Sequence, residues 1–72
     1  MLSGGMEYFK ATYQGNDFFT MQELTEEQEE TIALKDNGEI DYAVIKARDR
    51  LDAEVKAFKI GIRRNKELGK PY

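Results

Sequence analysis

The stretch IDYAVIKARDRLDAEVKAFKIGI, residues 40–62, carries the strongest periodic pattern in this chain. Its apolar residues recur in steps of three and four positions, at Ile40, Val44, Ala47, Leu51, Val55, Phe58 and Ile62. This spacing places them along one face of a continuous α-helix. Asp41 is the predicted N-cap, and Ile40 with Ile45 fits a hydrophobic staple across it. The pattern therefore predicts a long C-terminal helix.

The end of this helix has two possible positions. Gly61 could terminate it, or it could continue to Leu68, with Gly69 and Pro71 as the stop. A helix over residues 41–68 is about 42 Å long, whereas a compact chain of this size has a diameter of roughly 29 Å. The longer helix would protrude, and its second half would need cover from another chain.

The residues before this stretch predict a shorter helix over 25–36. Thr25-Glu26-Glu27-Gln28 fits a capping box, and Asn37-Gly38 fits a C-terminal stop. Its apolar content is limited to Ile32, Ala33 and Leu34. We expect its stability to come from packing against neighbouring elements.

The N-terminal third predicts a β-hairpin over residues 6–22, because two runs rich in aromatic and β-branched residues flank Gly15-Asn16. In this register Tyr13 faces Phe18, and Thr12 faces Phe19. Residues 1–5 read as a flexible leader. The predicted fold is α+β, in the order ββαα: a two-stranded antiparallel hairpin, a short helix and a long amphipathic helix. Residues 6–72 would form a single small domain.

Composition narrows the ways in which so short a chain can be stabilised. The 72 residues include no Cys and no His, so disulfides, thiolate metal sites and the commonest transition-metal ligand are excluded. Oligomerisation and helix packing remain. No segment is apolar enough for a membrane span, and we expect a cytoplasmic protein. Residues 1–45 carry ten acidic and two basic side chains, whereas residues 46–72 carry nine basic and four acidic.

No catalytic, cofactor-binding or metal-binding residue is predicted, because no nucleophile–base pair is readable and the carboxylate pairs lie among other charges. Residues 35–41 resemble the middle of an EF-hand calcium loop, with Gly38 at the turn and Ile40 at the hydrophobic position. However, Ala33, Lys35 and Val44 would occupy three ligand positions. We therefore interpret this segment as a tight helix–helix turn.

The favoured function is that of a small non-enzymatic accessory or adaptor protein acting by protein–protein contact. Its partner would be itself, as a homodimer or higher oligomer, or another protein. The predicted interface is the distal helical stripe: Leu51, Val55, Phe58 and Ile62. One alternative is a nucleic-acid-associated regulator whose polyanion-binding residues are Lys56, Lys59, Arg63, Arg64 and Lys66. Another is a small inhibitor that presents an acidic face to a larger enzyme, formed by Glu23, Glu26, Glu27, Glu29 and Glu30.

Overall fold

The computed structural model describes residues 5–69, which form a four-stranded antiparallel sheet followed by one helix. The elements are β1 (Glu7–Gln14), β2 (Asp17–Leu24), β3 (Thr31–Leu34), β4 (Ile40–Ala47) and α1 (Arg50–Glu67). The strand order is β2-β1-β4-β3, so β1 and β4 are central and β2 and β3 are the edges. The α+β class is confirmed, but the predicted ββαα arrangement is wrong.

The predicted helix over 41–68 is wrong in its first third, where the chain forms β4. This strand lies between β1 and β3, and it buries side chains on both faces: Ile45 faces the helix, and Val44 faces the opposite side of the sheet. Burial on both faces gives β4 apolar residues at the consecutive positions Ala43, Val44 and Ile45. A run of apolar residues also contains apolar pairs three and four positions apart. Residues 40–47 therefore matched the spacing of a helix and extended the predicted helix at its N-terminal end.

The predicted helix over 25–36 is also absent. Residues 25–30 form an exposed connection between the two edge strands, and Thr31–Leu34 form β3. The interpretation of residues 35–41 as a helix–helix turn fails with it. This segment is the β3–β4 turn, in which the Lys35 amide donates to the Glu39 carbonyl at 2.7 Å and Gly38 has a φ of +87°.

The predicted hairpin is present as β1 and β2 within the larger sheet. Gly15 and Asn16 form its turn, with Gly15 at a φ of +61°, and Tyr13 faces Phe18 as predicted. The pairing of Thr12 with Phe19 is wrong, because a bulge after Thr12 brings Thr20 opposite it. The extra residue is Phe19, whose side chain remains exposed.

Helix α1 begins at Arg50 and is capped by Asp49, whose side chain accepts a hydrogen bond from the Asp52 amide at 2.8 Å. It passes through Gly61 without a break and ends at Glu67, followed by Gly69 at a φ of +72°. The 18 residues extend for about 27 Å. Among residues 5–69, no helix combines the length and apolar character that a membrane span requires.

The core lies between α1 and one face of the sheet. Its largest completely buried side chains are Phe9 of β1 and Ile40 at the start of β4. The helix packs over β4, β1 and β2, and no Cα atom of α1 comes within 8 Å of β3. The far edge of the sheet is therefore left uncovered on the helix side. The predicted leader, except for Gly5, and residues 70–72 lie outside the described part of the chain.

Candidate interaction surface on helix α1

The face of α1 that packs on the sheet is built from small residues. Ala53, Ala57 and Gly61, spaced four positions apart, are its buried members. Small side chains let the helix axis approach the sheet closely, and the Tyr13 hydroxyl donates to the Ala57 carbonyl at 2.7 Å. Burial raises the pKa of Tyr13 to about 12. This phenol is therefore a neutral hydrogen-bond donor within the core.

Gly61 marks the closest approach between α1 and the sheet. A Cβ atom at this position would clash with the Asn16 carbonyl oxygen in the β1–β2 turn. The buried Asn16 side chain ties this junction together, because its Oδ1 accepts from the Ile40 amide and its Nδ2 donates to Asn65 Oδ1, both at 2.9 Å. Gly61 thus allows α1 to continue past the turn, whereas the sequence had suggested it as a possible helix end.

The opposite face of α1 carries the four predicted interface residues, hereafter the outer stripe: Leu51, Val55, Phe58 and Ile62. The structure places them along one side of the helix, turned away from the sheet. Leu51 is 70% exposed, Val55 45% and Phe58 60%, and Ile62 is partly exposed. Large apolar residues therefore face outward while small ones face inward, the reverse of the usual amphipathic arrangement.

The outer stripe continues into the neighbouring hairpin. Phe58 and Ile62 line a shallow depression of about 500 Å³ together with Phe18 and Asn65. Phe18 also packs edge-on against Tyr13, with ring centroids 6.3 Å apart, so its position is fixed by the core. The apolar surface is thus wider than the helix alone.

The predicted polyanion-binding residues divide into two groups. Lys56 donates to the Lys46 carbonyl at 2.9 Å, and Arg64 donates to the Gly38 carbonyl at 2.6 Å, so both side chains hold α1 to the sheet. In the described part of the chain, the other three form no ion pair or hydrogen bond through their side chains. They are Lys59, Arg63 and Lys66. They form a row beside the outer stripe, hereafter the basic row.

The acidic residues lie mainly at the opposite end of the molecule. Glu26, Glu27 and Glu29 are exposed in the β2–β3 connection, while Glu30 accepts from the Lys46 amide at 3.3 Å. At the start of β1, a hydrogen bond with Glu23 raises the pKa of Glu7. Glu23 thus lies near the end of β2, and the other four residues of the predicted acidic face lie in the connection that follows it.

Asp52 in the first turn of α1 is ionised and well paired. Its pKa is lowered chiefly by the Arg48 backbone amide, which donates to its Oδ2 at 3.1 Å, and also by the charge of Lys56. This carboxylate stabilises the start of the helix. Within residues 5–69, no three His, Cys, Asp or Glu side chains lie close enough together to hold a metal ion.

The sequence interpretation missed a groove between α1 and β3, hereafter the β3 groove. It holds two adjoining cavities of about 530 and 280 Å³, both lined by Ile32, Ile60 and Arg63. Leu34 lines one of them, and Lys56 and Lys59 the other. The sequence signal for this site is weak. It consists of Ile32 and Leu34, which lie two positions apart and so share one face of a four-residue strand, but the sequence pattern assigns them to a helix.

The fold and surface together define a small α+β protein: a four-stranded antiparallel sheet that is covered by one helix whose outer side is apolar. Comparisons with protein families, with curated proteins and with solved structures found no match for this chain. Its function must therefore be argued from its own residues.

Proposed function

We propose that this protein is a non-enzymatic accessory protein that acts through protein–protein contact and self-associates through the outer stripe of α1. The observation that carries this proposal is the outward orientation of Leu51, Val55 and Phe58. Monomeric proteins expose single apolar residues routinely, but a contiguous row of large ones marks an interaction site. The absence of cysteine is compatible with a reducing compartment, and we propose that the protein acts in the cytoplasm.

The exposed area of the stripe supplies a substantial part of the burial that a dimer needs. The exposed fractions of Leu51, Val55 and Phe58 add up to roughly the surface of two fully exposed side chains. Covering them is worth about 3–5 kcal/mol per protomer, at 1.5–3 kcal/mol for each large side chain. Two protomers contribute twice this, about 6–10 kcal/mol, which exceeds only the lower part of an association cost of about 4–15 kcal/mol. The adjoining Phe18 surface would add to the contact.

A comparison of Phe58→Glu with Phe19→Glu tests this proposal. Both phenylalanines are 60% exposed, but only Phe58 belongs to the outer stripe, so Phe19→Glu is a matched control. Removing the exposed part of Phe58 costs about 1–2 kcal/mol per protomer, hence 2–4 kcal/mol per dimer. The dissociation constant should rise at least 30-fold. Sedimentation equilibrium across a concentration series measures this directly.

Two results would reject self-association through this surface. One is a parent protein that remains strictly monomeric at millimolar concentration. The other is equal weakening by Phe19→Glu, which would locate the contact on β2. Circular dichroism of both variants checks that each remains folded.

The basic row supports nucleic-acid binding as a second candidate function. Lys59, Arg63 and Lys66 lie at one-turn spacing and could track a phosphate backbone. Neutralising three phosphates of a single strand predicts a log–log salt slope of about −2. Fluorescence anisotropy with a labelled oligonucleotide should show this slope in the parent and no binding in the triple Glu variant. The inhibitor hypothesis stays a prediction without a structural observation of its own.

A further inference from the structure

Strand β3 is a sheet edge that is protected mainly by its shortness, because in its bulged pairing with β4 the extra residue, Asp41, lies on β4 and not on the edge strand. Its four residues, Thr31–Leu34, include no charged residue and no proline, and it pairs only with β4. The other edge, β2, carries Asp17 and Glu23 and has a bulged pairing with β1. Exposed edges are usually blunted by charge, proline or bulges, because their free N–H and C=O groups pair readily with another strand. The β3 edge is therefore open to strand addition.

The helix side of this edge is apolar and uncovered. Ile32 is 51% exposed and Leu34 46%, and both face the β3 groove with Ile60 of α1 as the opposite wall. The two cavities of the groove adjoin along β3. An elongated depression beside a free strand edge fits an extended peptide better than a compact small molecule.

The rim of the β3 groove is positively charged. Lys59 and Arg63 have no acidic partner in residues 5–69, and both line the groove. Lys56 is already paired with Asp52 at 3.5 Å. At the groove's ends, the Glu30 carboxylate accepts from the Lys46 amide, and Glu67 pairs with Arg64. The Glu30 carboxylate keeps its negative charge, because its donor is a neutral amide, so Lys59, Arg63 and Glu30 together leave the rim with a net positive charge.

We propose that the β3 groove binds an extended acidic segment of a partner protein, which adds a fifth strand to the sheet beside β3. Its backbone pairs with the free edge of β3. Apolar side chains at alternate positions cover Ile32 and Leu34, and flanking carboxylates pair with Lys59 and Arg63. This site is separate from the outer stripe, so its partner is independent of self-association.

Three blocked heptapeptides serve as probes. The first is Glu-Thr-Val-Thr-Val-Thr-Glu, whose period-2 pattern places both carboxylates and both valines on one face. The second replaces both Glu by Lys, and the third replaces the central Thr by Pro, which lacks an amide donor. We expect the first to bind, with slowed amide exchange in β3, and the other two to bind at least fivefold more weakly. Amide NMR of the ¹⁵N-labelled protein reports affinity and location together.

Protein variants then identify the side chains. Lys59→Gln and Arg63→Gln should each lower the affinity for the acidic peptide roughly 2- to 5-fold, which is the range for exposed ion pairs. Lys66→Gln is the matched control, because Lys66 is equally unpaired but lies outside the groove, and it should leave affinity unchanged. Ile32→Lys should weaken binding roughly tenfold by charging the edge. Because the Lys59 and Arg63 side chains form no ion pair or hydrogen bond within residues 5–69, their variants remain informative even if Ile32→Lys unfolds.

The outcomes separate the possible occupants. Two results would overturn the role assigned to the rim: equal affinity for the acidic and basic peptides, or an equal loss of affinity in Lys66→Gln and Arg63→Gln. Tight binding of the proline peptide would overturn strand addition. Protection of β3 amides that grows with protein concentration in the absence of peptide would replace the partner segment with a second copy of this chain.

Discussion

Replacing Gly61 by Ala tests how closely α1 must approach the sheet. In an isolated helix this substitution would be stabilising by about 1 kcal/mol. Here the new Cβ would clash with the Asn16 carbonyl oxygen, so the two backbones must move apart to reach normal contact. Overpacking of this kind costs about 1–3 kcal/mol, and stretching the Asn16–Asn65 hydrogen bond costs about 1 kcal/mol more.

The net expectation is a loss of about 2 kcal/mol in the free energy of unfolding. For a chain of this length, that lowers the melting temperature by roughly 8–16 °C. Thermal melts followed by circular dichroism measure it. Asn65→Ala is the control, since it removes the hydrogen bond without adding an atom and should cost only about 1 kcal/mol. A Gly61→Ala protein that melts at or above the parent temperature would refute this account of the helix–turn contact.

Three further substitutions test the junctions around α1. Asn16→Ala leaves the Ile40 amide without its acceptor and should cost about 1–3 kcal/mol in urea unfolding; an unchanged midpoint would contradict this. Asp49→Ala removes the N-cap bond to the Asp52 amide and should cost about 1 kcal/mol, whereas Asp49→Asn, which can still cap, should cost less. Burial raises the pKa of Tyr13 to about 12 from 10.0. Above pH 10, the Tyr13 phenol loses its proton in the unfolded chain before it does so in the folded protein. The stability that comes from neutral Tyr13 is therefore lost between pH 10 and 12. Tyr13→Phe should flatten the fall of unfolding free energy in that window, and equal slopes would contradict it.

The local parts of this fold were predictable from the sequence. Gly15-Asn16 between two aromatic-rich runs was sufficient for the hairpin, because a two-residue turn and its flanking strands are set by adjacent residues. Residues 50–67 were also correctly interpreted as helical. The presence of a bulge beside Tyr13 was not predictable, since its position depends on how the sheet twists against the helix.

The central and edge strands were not predictable from local spacing. Whether residues 40–47 form a strand depends on β1 and β3, and β3 itself depends on β4. Non-local pairing of this kind leaves no signature in a short window. The acidic run before Thr31 fitted a capping box equally well, because acidic residues favour both helix starts and exposed connections.

The candidate site was predicted in part. The outer stripe does lie on one face, and its role as an interface stays a prediction. Of the five cations, Lys56 and Arg64 bind backbone carbonyls of Lys46 and Gly38. Those acceptors belong to remote elements, so the sequence could not show that these two charges hold the fold together.

The inversion of residue size across α1 links the fold to its proposed function. The sheet already places Phe9 and Tyr13 under the helix, and only small residues such as Ala57 let the two layers approach closely. The helix has no structural need for large apolar residues on its other side, because Lys or Glu would serve helix formation as well as Phe58. Packing therefore explains the inner face and leaves the outer face unexplained. The proposed contact with a second copy would supply that explanation, and Phe58→Glu is the variant that tests it.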